Sequence, residues 1–197
     1  MLRTVLDHLK TVIESFQSLP DGPCEQYHDN GQLKCQGNYE GGREEGPWKM
    51  YHRNGQLEFN GTYRNGRRDG PWQMYHENGR VRVKGASIAG KPHGVFERYH
   101  ENGKLAQRSV FVHGELDGPF EKFHENGQPK SNGNYRNDYM IGLWNVYYKN
   151  GQLKKAGAYV AGEKDGRWEF YHESGELGEI RNFKDGEILS YRQASSG

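Results

Sequence analysis

The stretch Tyr51–Trp72, "YHRNGQLEFNGTYRNGRRDGPW", decides the fold, because the chain spells it again and again. Aligned on itself, the sequence repeats every 24 residues without an insertion. One column reads Tyr27, Tyr51, Tyr75, Tyr99, Phe123, Tyr147, Tyr171. The glycine four residues later recurs from Gly31 to Gly175. A ring column reads Trp48, Trp72, Phe96, Phe120, Trp144, Trp168. A fixed period of this length marks a repeat architecture.

Each Asn-Gly predicts a hairpin turn, since both central residues of a type I′ turn need positive φ and Asn and Gly tolerate it best. With Asn54-Gly55 as a two-residue turn, His52 faces Leu57, Met50 faces Phe59, Trp48 faces Gly61 and Gly46 faces Tyr63. Those residues share one aromatic face, each large ring opposite a glycine that leaves it room. Lys49, Tyr51, Gln56, Glu58, Asn60 and Thr62 fall on the opposite, polar face. The expected fold is mainly β, an elongated antiparallel meander of about seven 24-residue hairpin repeats. At ~4.8 Å per strand the array reaches roughly 60–70 Å.

Outside the array, Leu2, Val5, Leu6, Leu9, Val12, Ile13 and Phe16 follow a helical period,. "LPDG" at Leu19–Gly22 stops that pattern,. The expected organisation is an N-terminal amphipathic helix over 1–20 that caps the first hairpins, the repeat array over 22–191, and a flexible tail over 192–197.

Composition fits a thin structure. Hydrophobic residues make up only 32%, yet aromatics reach 13% and there are 28 glycines. That is too lean for a thick core and too aromatic for disorder. With 27 basic and 26 acidic residues, the chain lacks the basic excess of a nucleic-acid binder,. No apolar run nears the ~20 residues of a membrane span. The N-terminal apolar pattern is broken by Asp7, Lys10 and Glu14, unlike a signal peptide,. Cys24 and Cys35 do not make a disulfide framework,. These readings point to a soluble cytoplasmic protein with reduced thiols.

The repeat unit resembles the MORN repeat, and more closely the variant class of the YwqK-type antitoxin family. The shared elements are the aromatic-x-x-Asn-Gly-x-Leu hairpin, the following Gly-x-Tyr (Gly37–Tyr39, Gly61–Tyr63, Gly133–Tyr135, Gly157–Tyr159) and the Gly-x-Trp before the next hairpin. The resemblance runs from Gly22 to about Tyr191. It implies a β-hairpin repeat fold and a protein-binding scaffold. In the antitoxin family it implies a bacterial immunity protein that neutralises a toxin by stoichiometric binding. MORN-type arrays also occur as membrane-lipid-associated scaffolds, which is the alternative reading.

No nucleophile elbow, phosphate loop, Cys-x-x-Cys or His-Glu-x-x-His is present, so neither catalysis nor a cofactor is expected,. The column His28, His52, His76, His100, His124, His172 invites a metal, but side chains about 10 Å apart cannot share an ion bound at ~2 Å. Binding specificity belongs where repeats differ. Five of the inter-hairpin loops carry charged or small residues, whereas the fifth in order carries Tyr139, Met140 and Ile141. These three are the candidate anchor for a protein partner. On the aromatic face, the positions of Met50 and Phe59 become Arg98 with Gln107 and Lys122 with Ser131. Arg98 and Lys122 are therefore candidates for a partner groove.

Overall fold

The computed structural model describes residues 21–194. They form one 15-stranded antiparallel sheet whose strands follow chain order throughout. The strands are β1 Gly22–Tyr27, β2 Leu33–Glu40, β3 Arg43–Tyr51, β4 Leu57–Arg64, β5 Arg67–Tyr75, β6 Val81–Ile88, β7 Lys91–Tyr99 and β8 Leu105–Val112. Then come β9 Glu115–Phe123, β10 Pro129–Arg136, β11 Tyr139–Tyr147, β12 Leu153–Val160, β13 Glu163–Tyr171, β14 Leu177–Lys184 and β15 Glu187–Gln193. The sheet thus ends two residues beyond the expected boundary at 191. Ala194 N–H still donates to the Gly178 carbonyl at 2.9 Å.

The described residues form a sheet alone, with no helix among them, in place of the expected helix-capped array. The expected segment 1–20 lies outside the described residues. Within the array the rings are covered by neighbouring strands, as at Trp168. Its indole is fully buried between Tyr159 at 5.0 Å, Phe183 at 6.2 Å and the Lys164 ammonium at 5.0 Å. Neighbouring strands supply the cover.

Register agrees with the hairpin reading along the strands and differs at the turn. Met50 pairs Phe59, Trp48 pairs Gly61 and Gly46 pairs Tyr63, but Leu57 faces Tyr51 instead of His52. His52 N–H donates to the Gln56 carbonyl at 2.8 Å, and Gly55 N–H donates to the His52 carbonyl at 2.9 Å. Only Gly55 has positive φ, at 81°. The turn is therefore a three-residue loop ending on a left-handed glycine, not type I′. Asn54 serves through its side chain. Its Oδ1 accepts from Gln56 N–H at 2.9 Å, and its Nδ2 donates to the Glu77 carbonyl of the next repeat at 2.8 Å. The two-residue turns with both φ positive lie at the opposite sheet margin, as at Asn65 (51°) and Gly66 (74°).

The core is a ladder of rings on one face. Trp48, Phe59, Trp72, Phe120, Trp144, Trp168 and Phe183 are all buried. Edge-to-face contacts run from Tyr39–Trp48 to Phe96–Phe111 and again from Phe120–Tyr135 to Trp168–Phe183,. The expected glycine beneath each ring exists, but mostly on the other side. Trp48 pairs Gly61 in register, yet its indole lies over Gly37 of the preceding strand. Phe96, Trp144 and Trp168 lie likewise over Gly85, Gly133 and Gly157. The cause is a bulge. Between the pairs Gln36–Lys49 and Asn38–Glu45, β3 holds two more residues than β2. Gly46, at φ 74°, turns the strand there,. Gly37 faces that bulge, and the ring fills the gap.

Candidate functional site

Tyr139, Met140 and Ile141 do not form a loop. They open β11, because the turn lies at Asn137 and Asp138, whose φ values are 48° and 65°, the same place in the repeat as Asn65 and Gly66. Strand alternation then separates the three. Tyr139 pairs Arg136 and Ile141 pairs Asn134 on the polar face, whereas Met140 pairs Tyr135 on the aromatic face,. Tyr139 is 59% exposed; its neighbours Leu143 and Val160 are 73% and 59% exposed. Ile141 is half-buried beside them. A shallow recess of about 460 Å³ is lined by Arg136, Tyr139, Ile141, Tyr159 and Val160.

Leu143 and Val160 escaped the sequence reading. Column comparison holds part of their signal: Leu143 stands where Pro47, Pro71, Val95, Pro119 and Arg167 stand, and Val160, in a column that reads Glu40, Arg64, Ile88, Val112, Arg136 and Lys184, is one of three apolar copies. The patch is thus a strand-borne apolar stripe, alternating Tyr139, Ile141, Leu143 along one edge of β11.

Arg98 and Lys122 are exposed on the aromatic face. Arg98 lies between Val83 and Gln107, and Lys122 between Gln107 and Ser131, in one row perpendicular to the strands. The Lys122 ammonium sits 5.3 Å from the Phe120 ring. The five candidates therefore divide. Tyr139 and Ile141 share the polar face; Met140, Arg98 and Lys122 share the other. Arg98 on β7 and Tyr139 on β11 are four strands apart, about 19 Å.

The histidine column acts as struts between repeats. The Nε2–H groups of His28, His52, His76, His100 and His124 donate to carbonyls of Tyr51, Tyr75, Tyr99, Phe123 and Tyr147 at 2.8–3.3 Å. Tyr148 takes the same place and donates its hydroxyl to the Tyr171 carbonyl at 2.8 Å. Among the described residues, no three His, Cys, Asp or Glu side chains converge as metal ligands would.

On the polar face Glu97 holds a charged hub. It receives the Lys84 ammonium at 2.6 Å, the Tyr99 hydroxyl at 2.6 Å and the Arg108 guanidinium at 2.9 Å. The Lys84 and Tyr99 hydrogen bonds, ahead of Arg108, hold its carboxyl down at about 2,. Beside it runs a groove of about 820 Å³ lined by Asn60, Pro71, Gln73, His93 and Val95. The Glu97 carboxylate is saturated by its own neighbours, so it braces β6, β7 and β8 and has no capacity left for proton transfer.

Seven stretches match the family model of the MORN repeat variant: residues 20–40, 44–65, 68–85, 92–113, 116–137, 140–160 and 164–185. No curated protein matches. Among solved structures, the chain is similar to one described as the crystal structure of TcdB2-TccC3-TEV, at 13% identity and a TM-score of 0.24. The likeness covers 89% of this chain, which spans 13% of the length of the other. At that TM-score it carries no inference.

Proposed function

This chain belongs to the MORN repeat variant family, and from that premise we propose that it is a non-catalytic scaffold whose work is stoichiometric binding of one partner protein in the cytoplasm. The observation that carries the reading is the stripe of Tyr139, Ile141, Leu143 and Val160. Tyr139, Leu143 and Val160, each more than half exposed, stand with Ile141 on two adjoining strands, and exposed apolar side chains gathered in this way have the composition of an interface centre; Ile88, Val95 and Val112 are exposed on the same face farther along the sheet,. Arg136, Asn134 and Glu163 give it a polar rim. The finer reading is an antitoxin or immunity protein, supported by the resemblance of the hairpin motif to the YwqK-type family.

The test grafts the next repeat onto the stripe: Tyr139→Glu, Ile141→Asp and Leu143→Arg copy Glu163, Asp165 and Arg167. Met140 stays, because it belongs to the other face. The protein that co-purifies from the native host is titrated by calorimetry. The graft is expected to weaken binding by at least ~2 kcal/mol, the scale of a lost hot spot, with the melting temperature nearly unchanged. Unchanged affinity refutes the site. The antitoxin reading requires that the co-purified partner, expressed alone, arrest growth and that this chain relieve the arrest.

A further inference from the structure

Most of the ion pairs lie on the polar face. On the polar face several cations meet carboxylates: Lys84 and Arg108 meet Glu97, Arg64 meets Asp69, Arg167 meets Glu169 and Lys184 meets Asp165, whereas Arg43, Arg67 and Lys91, at the starts of their strands, form no such pair among the described residues. On the aromatic face Arg181 meets Glu179, but Arg68, Arg98, Lys122, Lys155 and Lys164 have no carboxylate within ion-pair distance among the described residues. Four of them rest on rings instead: Arg68 at 4.9 Å from Trp72, Lys122 at 5.3 Å from Phe120, Lys155 at 5.9 Å and Lys164 at 5.0 Å from Trp168. A ring attracts a cation without neutralising it.

Register organises these charges. One row of Cα partners crosses the sheet as Val83, Arg98, Gln107, Lys122, Ser131, Val146, Lys155, Phe170, and then reaches Glu179, which is held by Arg181. Arg98 and Lys122 are two strands apart, about 10 Å, and Lys122 and Lys155 three strands apart, about 14 Å. Between them stand neutral side chains only. Lys164 adds a further positive charge at the Trp168 ring. Its ammonium is pulled below its usual value, first by burial and then by the charges of Lys155 and Arg181. An anion there would relieve that repulsion. In a chain whose formal net charge is only +1, such a row is a local concentration of unanswered charge.

We propose that the aromatic face from β7 to β13 docks an acidic protein segment laid across the strands, its carboxylates meeting Arg98, Lys122, Lys155 and Lys164. This deepens the partner-binding reading and rests on it for the class of ligand. It assigns a second surface, opposite in chemistry and in side to the Tyr139 stripe. An apolar side chain of the segment would meet Val146, which lies between Lys122 and Lys155.

The test uses poly-L-glutamate as the probe, with binding followed by calorimetry at about 0.05 M salt, where exposed charges are weakly screened. The variant Arg98→Gln/Lys122→Gln/Lys155→Gln keeps the alkyl stems and removes three charges. Arg43→Gln/Arg67→Gln/Lys91→Gln removes the same charge from the polar face. The first is expected to lower affinity at least about tenfold, the second less than about threefold, because attraction follows local potential more than net charge. If the triple variant melts early, single Arg98→Gln and Lys122→Gln substitutions read the same loss in parts. Equal loss in both triple variants overturns the proposal. So does equally tight binding of phosphatidylcholine vesicles containing about 30% phosphatidylserine, if it depends on the same residues; the face is then a lipid surface. The probe needs no native partner, so the Tyr139 stripe and this face fail or stand separately.

Discussion

Gly157→Ser is expected to be among the most damaging small substitutions in the array. The indole of Trp168 lies flat over Gly157, so closely that a Cβ there would fall inside the ring. Relief requires the ring to lift. Lifting it breaks the bond from Trp168 Nε1–H to the Ala158 carbonyl at 3.0 Å and exposes a side chain that is 0% exposed. Overpacking costs ~1–3 kcal/mol, and losing part of a buried tryptophan's packing approaches the ~3–5 kcal/mol of its deletion. A total near 3–5 kcal/mol follows for Gly157→Ser. The chain contains its own control. Ser109 occupies the same column opposite Phe120 and is 1% exposed, so a hydroxymethyl is accommodated there where the facing ring is the smaller phenyl. Gly85 lies beneath Phe96, with a Cβ meeting ring atoms at 2.8–2.9 Å, so Gly85→Ser is expected to cost only about 1 kcal/mol. Adding Trp168→Phe to Gly157→Ser should recover stability, although Trp168→Phe alone destabilises. Urea unfolding followed by tryptophan fluorescence measures all four. Equal midpoints for Gly157→Ser and Gly85→Ser, or no recovery in the double variant, would refute the account of the ring over the glycine.

Two further outcomes follow from the turns and the charged hub. Asn54→Gly is expected to destabilise by about 1 kcal/mol, since it deletes the side-chain bonds to Gln56 and Glu77,; a type I′ turn would instead accept glycine without loss, so a neutral or raised melting temperature contradicts the three-residue loop. For Glu97, a carboxyl whose folded value is lowered from 4.5 to about 2 adds stability above the unfolded value and loses it as pH falls toward the folded one. Wild type should therefore lose that contribution between about pH 4.5 and 2. Glu97→Gln should be less stable at pH 7 and flatter across the same window; parallel acid-denaturation curves would contradict it.

The sequence by itself determined the repeat, its 24-residue period, the antiparallel meander and the pairs Met50–Phe59 and Trp48–Gly61. All of these follow from local periodicity, because each hairpin is made of residues near in the chain and each face from alternate residues. It also marked Tyr139 to Ile141 as the odd copy of a column. Tertiary structure alone decided how those residues are used. Whether Asn54 supplies a positive φ or a side-chain bridge depends on Glu77, in the next repeat. Which glycine lies beneath Trp168 depends on a bulge whose partner strand precedes it. The candidate site followed the same division: the Asn137–Asp138 turn sets the phase of β11, so Tyr139 and Ile141 join Leu143 and Val160 while Met140 joins the side that carries Arg98 and Lys122. A shift of one residue in a strand exchanges its faces, and that phase is set by contacts between repeats that no single repeat records.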